Sequence, residues 1–259
     1  MQTVLFNETI FGPIHSRRLG TSLGVNLSPN DGKICSFDCL YCEAGFNAQG
    51  PGTTGFPSRE KVRNDLEAKL KSMKEKGEQL DVITFSGNGE PTLHPDFGGV
   101  VDDTIALRDK YFPSVKISVL SNSTRAGKRE VADALERVDN NLVKLDSAIE
   151  RTMRLLDRPN DPGFTVDRVV NDLSRFGKSA IIQTMFTRGE HDGQKIDNTT
   201  DEEISALIEA YRAIGPGSIM IYSIDRRTPE QSLTKVMPDE LRKIADRIEK
   251  ETRIPVTTA

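Results

Sequence analysis

Six short runs of apolar and β-branched residues, at 23–27, 82–86, 116–120, 142–145, 180–186 and 218–224, alternate with longer charged stretches. Runs of that length and composition predict buried strands, and apolar residues recurring every three or four positions predict amphipathic helices between them. Helices are expected over 58–76, 96–110, 128–137, 166–176, 201–214 and 238–251. In the last, Leu241, Ile244, Ala245 and Ile248 fall on one buried face. Ser58 before Glu60, and Thr200 before Asp201, Glu202 and Glu203, place caps and acids where the helix dipole favours them. Strand-helix alternation implies parallel strands joined by crossovers, arranged as an open doubly wound sheet or an incomplete barrel. In both, ligands bind at the carboxyl ends of the strands.

A length of 259 residues with no repeat or linker reads as one domain. Hydrophobic residues are 36% and charged residues 29%, enough for a packed core and too few charges for disorder. The 35 Lys and Arg against 39 Asp and Glu give a net charge of -4, so the surface as a whole does not match a polyanion. The first residues lack the pattern of a secretory signal, and no stretch reaches the roughly 18 apolar residues of a membrane span. A cytoplasmic protein without a membrane partner is expected.

All three cysteines, Cys35, Cys39 and Cys42, lie in one loop after the first predicted strand. An odd, crowded set points to a metal rather than a disulfide framework. Zinc would require a fourth ligand such as His15 or His94. Alternatively, three thiolates ligate three irons of a [4Fe-4S] cube and leave the fourth open.

The spacing Cys-x3-Cys-x2-Cys, with aromatic Tyr41 before the last cysteine, resembles that of the radical S-adenosylmethionine (SAM) enzymes. The resemblance implies a partial (β/α)6 TIM-type barrel of parallel strands in a single domain. It makes Cys35, Cys39 and Cys42 the cluster ligands and the centre of catalysis, with SAM chelating the open iron. The reduced cluster would then cleave SAM to methionine and a 5'-deoxyadenosyl radical that abstracts hydrogen from a substrate. An external electron donor such as flavodoxin or ferredoxin is implied.

Candidate cofactor residues lie at the other strand ends. Gly87-Asn88-Gly89-Glu90 resembles the family's Gly-Gly-Glu-Pro segment, which binds the methionyl amine, with Asn88 replacing the second glycine. Read alone, it is a glycine-rich turn. Ser121 and Asn122 after the third strand, and Lys144 and Asp146 after the fourth, match positions that contact the SAM ribose and carboxylate in the family. Lys144 sits in an apolar strand and needs an acidic partner or the SAM carboxylate. Gln183 interrupts the fifth strand and must find hydrogen bonds inside, from ligand or core. His15, His94 and His191 read as structural or exposed, with His191 in a loop after the fifth strand.

The run from Gly12 to Asn26 resembles a subgroup of oxidoreductases grouped with wyosine-tRNA synthases, a likeness covering about residues 12–227, with the last helix at about 238–251. Those synthases use a second cluster held by further cysteines, and none are left here, so that reaction does not carry over. Arginines concentrate in loops, and Arg17, Arg18 and Arg226, with Tyr222, are candidates for holding an anionic substrate such as a nucleotide or RNA. Surface ion pairing is the plainer account of these arginines. A glycyl-radical-enzyme activase and a zinc-stabilised binding module are the alternative functions.

Overall fold

The computed structural model describes residues 4–16 and 19–259. A hairpin opens the chain, β1 (Ile10–Ser16) and β2 (Gly20–Val25). There follow α1 (Arg59–Lys76), β3 (Val82–Phe85), α2 (Phe97–Tyr111), β4 (Lys116–Ser121) and α3 (Arg129–Leu135). Next come β5 (Asn140–Lys144), α4 (Glu150–Leu156), α5 (Val166–Ser174), β6 (Ala180–His191) and β7 (Gln194–Asp197). The chain ends with α6 (Asp201–Ile214), β8 (Ser218–Ser223), β9 (Thr234–Lys235), α7 (Pro238–Thr252) and β10 (Val256–Thr258).

The six expected strands are β2, β3, β4, β5, β6 and β8, paired in parallel in that order. Spatial order following chain order means that the sheet winds one way, as in a barrel; a doubly wound sheet reverses direction. The sheet stays open. β1 pairs antiparallel with β2 at one edge, and β10 parallel with β8 at the other. The fold is therefore a single α/β domain with a partial barrel.

Alternation along the strands separates two environments. Leu23, Val25, Ile83, Phe85, Ile117 and Val119 join the core shared with α1 (Val62, Leu66, Leu70, Met73) and α2 (Val100, Val101, Leu107). At the intervening positions polar side chains bond to one another between strands: Ser22 to Thr84 at 2.7 Å, and the Asn140 amide to Ser118 Oγ at 2.8 Å. Helix starts follow the expected caps, with Ser58 accepting from Lys61 N and Thr200 from Glu203 N.

β6 runs to His191, beyond the expected end at 186. Asp192 and Gly193, both at positive φ (48° and 72°), form the two-residue turn that folds β7 back onto it. His191 is therefore the last residue of a strand rather than part of a loop. No helix among the described residues is long and apolar enough to cross a membrane.

Candidate active site

The cysteine loop leaves the carboxyl end of β2 and is laid across the carboxyl end of β3. Ile34 N donates to Asn88 O at 3.1 Å and Glu90 N donates to Ile34 O at 3.2 Å, a one-residue bridge between Ile34 and Gly89. The backbones approach so closely that a Cβ on Gly89 would lie 1.8 Å from the Ile34 carbonyl oxygen. Beside it, a Cβ on Gly87 would lie 2.4 Å from Asn26 Oδ1. These glycines admit other parts of the chain, which the reading as a simple turn does not require.

The Asn88 side chain is held within the protein. It is fully buried, its amide donates to Phe6 O (2.8 Å) and Pro29 O (3.0 Å), and its Oδ1 accepts from Phe6 N (2.8 Å). That side chain is used entirely within the protein. Asn26 supports it, with Oδ1 accepting from the backbone N–H of both Ser28 (3.2 Å) and Asn88 (3.0 Å).

Around the sulfurs the chain gathers charge and hydrogen-bonding groups. Cys39 is buried, and Cys35 and Cys42 are half-buried. Burial pushes the Cys35 thiol up to about 12 and Cys39 well above its ordinary value. Lys33 is 3% exposed, with its ammonium 2.8 Å from Gly45 O and 3.8 Å from Asp38. Burial lowers its pKa, but the fields of Cys42, Cys35 and Cys39 outweigh this and the net shift is upward. Asn122 donates from its amide to Ser36 Oγ (2.9 Å) and weakly to Cys35 Sγ (3.6 Å). Cys39 Sγ lies 3.6 Å from the Asp157 carboxylate.

Tyr41 is fixed by the end of β5. Its hydroxyl donates to Asp146 and accepts from Lys144. Lys144 also pairs with Asp146 at 3.2 Å and lies 4.6 Å from the centre of the Tyr41 ring. The ammonium thus has a neighbouring acid as partner. Burial lowers Lys144, while Asp146 and then Tyr222 raise it further, leaving it well above its ordinary value. Asp146 Oδ1 accepts from Met185 N at 2.8 Å, which ties this cluster to β6.

Glu90 joins β3 to β4. Its carboxylate accepts from Thr92 N (3.1 Å), Thr92 Oγ1 (2.6 Å), Ser121 Oγ (2.9 Å) and Asn122 N (2.6 Å). Burial raises its pKa, and these donors only partly counter it. Ser121 acts through Glu90, whereas Asn122 reaches the cysteine loop. Gln183 lies beside Lys144 in the β5–β6 register and donates to the weak acceptor Met220 Sδ at 3.4 Å.

Tyr222 and Arg226 lie toward the β8 side of the mouth. A cavity of about 610 Å³ borders Cys42, Glu43, Arg226 and Arg227, and a neighbouring one of about 70 Å³ is lined by Tyr41, Met185 and Tyr222. Arg226 pairs with Glu43 at 2.5 Å. Arg17 and Arg18 lie outside the described residues. His94 uses both ring nitrogens, on Pro57 O (2.7 Å) and Asp96 N (3.1 Å), so it is not free to serve as a fourth zinc ligand, and His15 is exposed on β1.

The model of the radical SAM superfamily matches residues 30–197 of this chain. The chain belongs to the radical SAM superfamily. Members are iron-sulfur enzymes that use a [4Fe-4S] cluster and SAM. The chain is 27% identical over 244 residues to a protein named GTPase Obg in Brachyspira hyodysenteriae, covering 92% of this chain and 33% of that protein. It is 29% identical over 215 residues to a UPF0026 protein of Methanocaldococcus jannaschii, covering 80% of this chain and 60% of that one. It thus spans only part of the length of both relatives. The fold superposes on the structure of TYW1 with a lysine-pyruvate adduct bound at a TM-score of 0.61, with 17% identity over 90% of this chain and 75% of that one.

The residues present fit a radical SAM cluster. Three thiols on one loop supply soft ligands, a buried ammonium lies within range of their charges, and His94, considered for zinc, has both ring nitrogens engaged elsewhere. Lys33, Asn26, Asp157 and Glu43 were not among the sequence candidates. Lys33, two residues before Cys35, and Glu43, directly after Cys42, offered a local signal; Asn26 and Asp157 are brought to the site by folding.

Proposed function

We propose that this enzyme cleaves SAM reductively and uses the resulting radical to take a hydrogen atom from an anionic substrate. The bound cluster supplies the one electron that breaks SAM into methionine and a 5'-deoxyadenosyl radical. Cys35, Cys39 and Cys42 hold it, and Lys33 offsets the negative charge of their thiolates. Asn122 orients the Cys35 end of the loop, and the Tyr41–Lys144–Asp146 cluster fixes the other end against β5 and β6. Gly87, Gly89 and Glu90 set the height at which the loop crosses β3. Lys144, Asp146 and Gln183 border the cofactor side of the mouth, while Tyr222 and Arg226 border the substrate side.

The observation that carries the reading is the cysteine loop pinned on Gly89 with the buried Lys33 ammonium held against the same loop, 2.8 Å from Gly45 O. The test is anaerobic reconstitution followed by assay for 5'-deoxyadenosine from SAM and a reductant. Wild type should form it and Cys39→Ala should not. Equal product from both would remove the proposal.

A further inference from the structure

Each cysteine sits beside its own main-chain tether to a different part of the fold. Next to Cys35, Ile34 bridges to Gly89 at the end of β3. On either side of Cys39, Asp38 N donates to Asp157 O (3.1 Å) and Leu40 N to Leu156 O (3.0 Å). After Cys42, the Glu43 carbonyl accepts from Val4 N at 2.9 Å. Among the described residues, this is the one main-chain hydrogen bond that ties residues 41–45 to a segment outside the cysteine loop. Side chains also reach this end. Tyr41 is held at β5 through its hydroxyl, Lys33 bonds Gly45 O from within the loop, and the Glu43–Arg226 pair is exposed, at 43% and 64%, so solvent screens it. None of them bonds the Glu43 main chain.

The Val4 tether is held in turn by Asn88. Asn88 Oδ1 accepts from Phe6 N and its amide donates to Phe6 O, both at 2.8 Å, so the carboxamide pairs with Phe6 as a residue of a neighbouring strand would. The Phe6 ring stacks on Phe11 with centroids 3.7 Å apart, and Phe11 lies over Gly24 of β2, where a Cβ would fall 2.0 Å from its ring. Val4 itself is 41% exposed, so its place depends on Phe6. Asn88 thereby serves both outer cysteines. Its carbonyl accepts from Ile34 N beside Cys35 at 3.1 Å, and its side chain holds the segment that bonds Glu43 beside Cys42. A glycine at position 88, as in the motif this segment resembles, would leave the second task undone.

We propose that residues 4–6 form the tether that positions Cys42 as a cluster ligand, and that the Asn88 side chain is the positioning residue that holds them. This role requires a cluster on the three cysteines and is independent of SAM cleavage and of the substrate.

The test compares three variants of the full chain. Val4→Pro, at an exposed position, removes the N–H that bonds Glu43 and leaves Asn88 satisfied. Asn88→Gly removes the carboxamide, and Val4→Ala keeps the N–H as a control. Iodoacetamide labelling of each cysteine is followed by peptide mass spectrometry before cluster loading, and iron release to a chelator is followed anaerobically after it. Losing one hydrogen bond of ordinary strength shifts an equilibrium about 5-fold, so Cys42 labelling and iron release should both rise by about that factor in Val4→Pro and by at least as much in Asn88→Gly. Cys35 and Cys39 should keep their wild-type labelling rates in Val4→Pro, and Val4→Ala should match wild type throughout. Unchanged Cys42 labelling in either variant, or an equal rise at all three cysteines, would overturn the proposal. Formation of 5'-deoxyadenosine is scored separately: its absence from loaded wild type would remove the radical reading and leave the tether standing.

Discussion

Gly89 and Ile34 meet backbone to backbone, so that a single added carbon at position 89 would lie 1.8 Å from the Ile34 carbonyl oxygen. Its φ of 157° is also one that side chains resist. Since the obstacle is main chain, relief requires moving the cysteine loop itself. Gly89→Ala should therefore keep the barrel, read as unchanged far-ultraviolet circular dichroism, and lose most cluster iron after reconstitution. Full iron loading of the variant would contradict this.

Lys33 places a buried positive charge among the sulfurs. Adding an electron to the cluster is easier beside a cation, so Lys33→Met should lower the reduction potential. A tenfold shift in a one-electron equilibrium corresponds to about 59 mV, and a drop on that order is expected in a redox titration followed by electron paramagnetic resonance. An unchanged or higher potential would show that Lys33 is electrically remote from the cluster.

Asp146 partners both Lys144 and Tyr41, and also accepts from Met185 N. Asp146→Ala removes the carboxylate bonded to the Lys144 ammonium, leaving it the Tyr41 hydroxyl and the field of Asp157, and should cost ~3 kcal/mol. Tyr41→Phe removes one hydroxyl and should cost about 1 kcal/mol. Urea denaturation of cluster-free protein measures both, and similar small losses would contradict the charge argument.

Glu230 holds the loop after β8 to the rest of the mouth, with His191 Nδ1 at 2.7 Å and Glu230 N donating to Leu40 O at 3.1 Å. Burial acts to raise its pKa, but hydrogen bonds from Ser232 and His191 outweigh this and leave it below the ordinary value of 4.5. The unfolded carboxylate therefore binds protons first. This contribution is complete above the ordinary value and is lost as pH falls through the lowered one. Protection of the amides over 224–233 in cluster-free protein, taken relative to the intrinsic exchange rate at each pH, should fall between about pH 6 and about pH 3, and less so in Glu230→Gln. Identical profiles would remove Glu230 as the anchor.

The six barrel strands were legible because each is a continuous apolar run. β10 is only three residues long and α4 only seven, too short to show a period. The Asp192-Gly193 signal for the β6–β7 hairpin was present in the sequence and not used. The cysteine motif could be read because its ligands are neighbours in the chain. Asn26, Asp157 and the Glu43–Arg226 pair could not, since each acquires its partner only through folding; Glu43 and Arg226 are 183 residues apart. The partners of the Asn88 side chain, Phe6 and Pro29, were likewise not legible, because they lie far from it in sequence.

The most direct measurement is electron paramagnetic resonance of the reduced, anaerobically reconstituted protein with and without SAM. Three thiolates that leave one iron open predict a [4Fe-4S] signal whose shape changes when SAM is added. A protein that holds no iron, or a cluster signal indifferent to SAM, would contradict the account.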